Sequence, residues 1–190
     1  MHFLGRIVQQ NDFGLEIEAF PLSAFENKNI NNQVKSFLSS TGLPSWCAPH
    51  MMFGSFGDVY LPKLSEWSWS EDWEKPYECA LANYSESYVV GSAQDHQPII
   101  LLPNDPAIYI FSTCGQCLHT LNTSLDNLLQ TILYYAEMVE LAIASDSSAF
   151  TESRMPTRLA KEFELKFCKR ESTISDSAWV YWANERCTNA

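Results

Sequence analysis

The chain has 190 residues, 46% of them hydrophobic, and a formal net charge of −11 at pH 7. Such a length and apolar content suit one domain with a sizeable core that needs no disulfides. The acidity excludes the clustered Lys/Arg surface with which proteins hold phosphates, so no direct binding of nucleic acid is expected, and a basic protein is the natural partner.

The distribution of charge is more informative than its sum. Residues 1–75 hold 9 acids and 5 bases, residues 76–153 hold 9 acids and no base, and residues 154–190 hold 5 acids and 7 bases. The start, Met1 to Gln10, has neither the charged opening nor the apolar run of a secretory signal. No uninterrupted apolar run reaches the roughly 18 residues that span a bilayer, so no membrane partner is expected. Six cysteines are scattered through the chain (Cys47, Cys79, Cys114, Cys117, Cys168 and Cys187). Without an export signal they read as reduced thiols, and the expected compartment is cytoplasmic.

In chain order, the first regular pattern is Ile30, Val34, Phe37 and Leu38 at helical spacing. It stops at Thr41-Gly42-Leu43-Pro44, where Gly42 suits a left-handed C-terminal position and Pro44 blocks continuation. From Ser45 to Tyr84, punctuation by Gly54, Gly57 and Pro62 predicts an irregular segment with short strands at most. Tyr88–Ser92, Pro98–Leu102 and Ala107–Phe111 are β-prone runs separated by turn residues, and a further strand is expected from Cys117 to Leu121. Together they predict an antiparallel meander.

The period then changes to 3.6. Leu125, Leu128, Leu129, Ile132, Ala136, Val139 and Ile143 form an apolar stripe on a long helix from Thr123 to about Ala144, with Thr123 and Asp126 reading as a capping box. After a polar break at 145–153, Leu159, Phe163 and Phe167 recur every fourth residue in a basic stretch. A last short helix carries Trp179, Trp182 and Ala183 on one side. The order of elements predicts an α+β fold: a twisted antiparallel sheet of about four to six strands flanked by helices, with one long amphipathic helix after the sheet. The expected organisation is a core over residues 1–150 and a helical extension over 151–190 that packs on it rather than forming a second domain.

With the elements placed, the chain resembles the SUKH superfamily, and in particular its longer bacterial branch, the fourth SUKH family. The matching pieces are Phe37-Leu-Ser-Ser-Thr-Gly-Leu-Pro44, Tyr88-Val-Val-Gly91 leading through Asp95 into Pro98-Ile-Ile-Leu-Leu102, and Leu121-Asn-Thr-Ser-Leu125 opening the long helix. The resemblance is strongest over residues 30–145, and the tryptophan-bearing tail from Ser175 is similar to the ending of the longer branch. Pro106 and Cys114-Gly-Gln-Cys117 depart from the plain hairpin of the family, which leaves the strand register there open. The resemblance implies an α+β fold, no catalytic activity, no cofactor, and the role of an immunity protein that binds a cognate secreted toxin.

Each candidate site has a bland reading beside the functional one. Cys114-Gly-Gln-Cys117 with His119 could hold a metal or a redox pair, but no second ligand pair follows, and the setting between two strands is not that of a thioredoxin-like motif. A hairpin turn with small buried thiols is the simpler reading, and no metal is assigned. Asp95-His96 reads as a polar hairpin tip. No nucleophile elbow, phosphate-cradling loop or zinc-protease helix occurs, so no catalytic residue is assigned and the chain is not expected to be an enzyme.

The stretch around Glu66, Trp67, Trp69, Glu71, Asp72, Trp73, Glu74 and Glu78, with Asp95, is the expected partner-binding surface. There tryptophan supplies anchoring area and carboxylates steer towards a basic partner. Alternatively, the tryptophans pack inward and the acids are merely solvated. Taken with the resemblance, these features imply a basic toxin domain as the partner, a nuclease included. A non-catalytic adaptor module remains the alternative, and an enzyme of unrecognised type the third reading.

Overall fold

The computed structural model describes residues 14–48, 51–67, 82–93, 96–112, 117–146, 155–185 and 187–188. Its centre is a six-stranded antiparallel sheet of order β10-β9-β8-β7-β4-β3. The strands are β3 (Trp46–Cys47), β4 (Met51–Phe53), β7 (Tyr88–Ser92), β8 (Pro98–Leu101), β9 (Ile108–Ser112) and β10 (Cys117–Asn122). The meander β7 to β10 follows the β-prone runs of the sequence. β4 and β3, cut from the punctuated segment before it, extend the sheet past β7.

Six short strands lie outside this sheet. β1 (Ile17–Glu18) pairs with β2 (Leu43–Pro44), β5 (Ser55–Phe56) with β6 (Val59–Tyr60), and β11 (Met155–Pro156) with β12 (Cys187–Thr188).

The first helix, α1 (Asn32–Ser40), begins at Asn31, whose side chain accepts from the Gln33 N–H at 2.8 Å, and buries Val34 and Leu38. It ends as the sequence predicts. Gly42 has φ 79°, and a Cβ there would also overlap the Glu18 carbonyl of β1, so glycine is required on two counts.

The long helix α2 spans Leu125–Ser145. Its N-cap is Ser124, which accepts from the Asn127 N–H at 3.2 Å, and not Thr123, whose hydroxyl is used elsewhere. The buried stripe is also turned in the second half of the helix. Tyr135, Met138 and Ala142 are buried, whereas Ala136, Val139 and Ile143 are only partly so. Steps of four drift off a 3.6-residue turn, and the helix keeps its face to the core by stepping three. Tyr135 then meets Phe163 edge to face at 5.4 Å and Trp179 at 5.7 Å.

The helices α3 (Thr157–Arg170) and α4 (Ala178–Glu185) follow. Leu159, Phe163 and Phe167 of α3 and Trp179, Trp182 and Ala183 of α4 are buried as their spacing predicts, in the same cluster as Ile99, Leu101, Ile108 and Leu128. The helices therefore cover one face of the sheet.

The other face carries a second, smaller cluster of Leu64, Val89, Ile100 and Phe111. β7 divides its side chains between the two by simple alternation: Tyr88 and Val90 join the helical side and Val89 the other. A register shift follows between Val89 and Gly91. A Cβ on Gly91 would stand 2.5 Å from both the Met52 carbonyl oxygen and the Phe53 ring, so this glycine lets β4 approach β7. The register left open by Pro106 is now defined. β9 starts two residues after that proline, Cys117 stands opposite Ser112, and the pairing shifts between Thr120 and Asn122.

Candidate partner-binding surface

Two residues of the expected surface, Glu66 and Trp67, are described. Trp69, Glu71, Asp72, Trp73, Glu74, Glu78 and Asp95 lie outside the described residues. Glu66 is exposed and closes a one-turn helix, its carboxylate accepting from the Lys63 backbone N–H at 3.2 Å. Trp67 is half-buried on the second face, packed edge to face on Phe56 at 4.6 Å. Its indole N–H has no acceptor among the described residues. The body of this tryptophan thus packs inward while the carboxylate beside it remains in solvent.

The same face continues to the edge of the sheet. Trp46 of β3 and Met52 of β4 are direct cross-strand partners, and Met52 is in turn opposite Ser92 of β7. Their neighbours Cys47, Met51 and Phe53 point into the helical core, so Trp46 and Met52 project from the opposite face. They are 50% and 54% exposed. Nothing in the composition of 45–53 singles them out, because the run Met51-Met52-Phe53 is apolar on both phases. Only the phase set by buried Cys47 and Phe53 separates the inward from the outward residues.

The segments that reach this edge carry acids and no base. Stretches 7–27 and 36–62 contain no Lys or Arg. The Glu16 carbonyl accepts from the Ser45 N–H at 2.8 Å, next to Trp46, and both Glu16 and the Asp58 turn are exposed. Glu18 approaches Gly54 and accepts from the Tyr60 hydroxyl, a hydrogen bond that raises the tyrosine pKa.

The base-free middle of the sequence is not uniformly bare of counter-charge. Glu86 pairs with Lys63 at 3.0 Å. On α2, Glu137 pairs with Lys166 at 3.0 Å and Asp126 with Arg170 at 2.9 Å, both cations coming from α3. Asp105 accepts from Tyr109, whose pKa is pushed up to about 12 by burial first and by this carboxylate second. The basic tail therefore docks on the acidic long helix of its own chain.

Where β10 meets α2 and the end of α3, a polar junction is buried. Asn122 is wholly inaccessible. Its amide donates to Glu171 at 2.9 Å and to Thr131 at 3.1 Å, and its carbonyl accepts from the Trp179 indole at 3.0 Å. The Glu171 carboxylate also accepts from the Thr123 N–H at 3.1 Å and its hydroxyl at 2.8 Å. The predicted helix start Asn122-Thr-Ser is thus a clamp joining sheet, long helix and tail.

The cysteine turn has its two flanking strands paired, as a hairpin requires, while residues 113–116 lie outside the described residues. His96 takes a left-handed φ of 57° between β7 and β8, in keeping with a turn tip. Cys47 is buried, and burial pushes its thiol pKa up. Among the described residues, no three His, Cys, Asp or Glu side chains converge as metal ligands, and no helix is long and apolar enough to cross a membrane.

Neither the curated proteins nor the solved structures include a match to this chain. The model of one family, described as SUKH-4 immunity protein, matches residues 8–186. That match reaches from before β1 to beyond α4, so it takes in the meander, the Asn122 junction and the tail together. The chain belongs to the SUKH-4 immunity protein family.

Proposed function

We propose that this chain is an immunity protein that binds a cognate secreted toxin domain inside the producing cell and neutralises it by occluding its active site. The observation that carries this reading is the family match over residues 8–186. The toxin domain is basic and is a nuclease. A surface that holds phosphates is basic, and an acidic protein of net charge −11 can take the place of the nucleic acid on it. The chain works by contact alone, with no reaction and no cofactor of its own, as one unit in which the tail belongs to the body.

Glu66, Glu71, Asp72, Glu74, Glu78 and Asp95 steer the encounter, and Trp67, Trp69 and Trp73 supply anchoring area. Support comes from the exposed Glu66 carboxylate beside half-buried Trp67, and from the lack of any Lys or Arg in residues 76–153.

The test is co-expression with the product of the neighbouring gene. Growth rescue together with a stable purified complex is the expected result. If cells die with the protein present and folded, the reading is wrong. Lys at Glu71, Asp72 and Glu74 together should slow association and flatten its salt dependence.

A further inference from the structure

Trp46 and Met52 form an apolar pair on the face of the sheet that the helices leave uncovered. Paired across β3 and β4, they share a face, and about half of each side chain is in contact with water. A patch of two such groups is of ordinary size for a protein surface, so its chemistry depends on what surrounds it. The area involved is on the order of 200 Å², far below the roughly 800 Å² per partner that a stable interface buries. The pair can therefore be the centre of a contact, but its surroundings must supply the rest.

Those surroundings are acidic. Glu16, whose carbonyl is bonded to Ser45, and Glu18, whose carboxylate reaches Gly54, are exposed at this end of the sheet, on stretches that carry no Lys or Arg. A second copy of the chain would bring these carboxylates against their own kind, under a net charge of −11 on each molecule. A basic surface with an apolar depression complements both the pair and its rim.

We propose that Trp46 and Met52 are the apolar anchor that seats in the toxin domain, with Glu16 and Glu18 as the rim that meets its basic surface. This rests on the immunity reading and adds to it a surface beyond the Glu66–Glu78 stretch. Anchor residues of this type concentrate binding energy, and a rim of charges sets the rate of encounter.

The experiment measures association and dissociation between the full chain and the product of the neighbouring gene, for wild type, Trp46→Ala, Met52→Ala and Glu16→Lys. Leu165→Ala, also exposed and apolar but on α3, is the control. Trp46→Ala is expected to weaken binding about 30-fold or more, chiefly by faster dissociation. Met52→Ala follows with a smaller loss, Glu16→Lys slows association, and Leu165→Ala binds as wild type does.

A complex that forms normally with both Trp46→Ala and Met52→Ala overturns the anchor and leaves the immunity reading standing. Absence of any complex or rescue with wild type removes both. Two further measurements on the free protein can also overturn it. A dimer in sedimentation that Trp46→Ala dissolves makes a second copy the occupant. A melting temperature lowered by more than about 5 °C in Trp46→Ala means that the pair is packed within its own chain.

Discussion

The two faces of the central sheet are built to different depths. On one, the helices close over Ile99, Leu101, Ile108 and Leu121 with a continuous aromatic layer of Tyr135, Phe163, Phe167 and Trp179. On the other, four fully buried residues are covered by half-buried Phe56, Trp67, Tyr84 and Tyr109, and Trp46 and Met52 at the sheet edge are about half exposed. The same strands make both, so the difference comes from what is laid over them. Apolar burial is concentrated under the helices, and the other face is the more thinly covered among the described residues.

Substitutions can break this comparison. Trp179→Ala should have the largest effect, a loss of about 4 kcal/mol in urea unfolding, because it empties the aromatic layer and removes the donor to Asn122. Glu171→Ala comes next at about 3 kcal/mol, since the amide of Asn122 and the N–H of Thr123 lose a buried acceptor. If that variant melts like wild type, the tail is not clamped at this junction. Ile100→Ala, in the centre of the second cluster, should lose about 2.5 kcal/mol. A loss as large as that of Trp179→Ala would show the two faces to be equally important for stability. Lys166→Ala should change stability by about 0.5 kcal/mol at low salt and less at high salt, because its pair with Glu137 is partly exposed and so screened by solvent.

How much of this could be read in advance depends on how local the causes are. The helix stop at Gly42, the strands β7 to β10 and the buried edges of α3 and α4 follow from periodicity and turn residues a few positions apart. The SUKH resemblance was legible because its short motifs sit at element ends, where local rules are strongest. The N-cap at Ser124 rather than Thr123 could not be read, since the Thr123 hydroxyl is claimed by Glu171, 48 residues later. For the binding surface, the charge asymmetry was plain but not its neutralisation. The pairing of Glu137 and Asp126 with α3 requires knowing that the tail lies along α2. Trp46 and Met52 went unmarked because β3 and β4 are two and three residues long, too short for alternation to show.

The sequence by itself determined the class of the fold, the order of its elements, the family and the acidic character, all of which rest on neighbours in the chain or on composition. Tertiary structure decided which acids keep their charge uncompensated, which way the apolar residues at the sheet edge face, and what Asn122 does. Each of these depends on a partner brought near by folding, and a burial pattern or hydrogen bond between distant residues leaves no local trace.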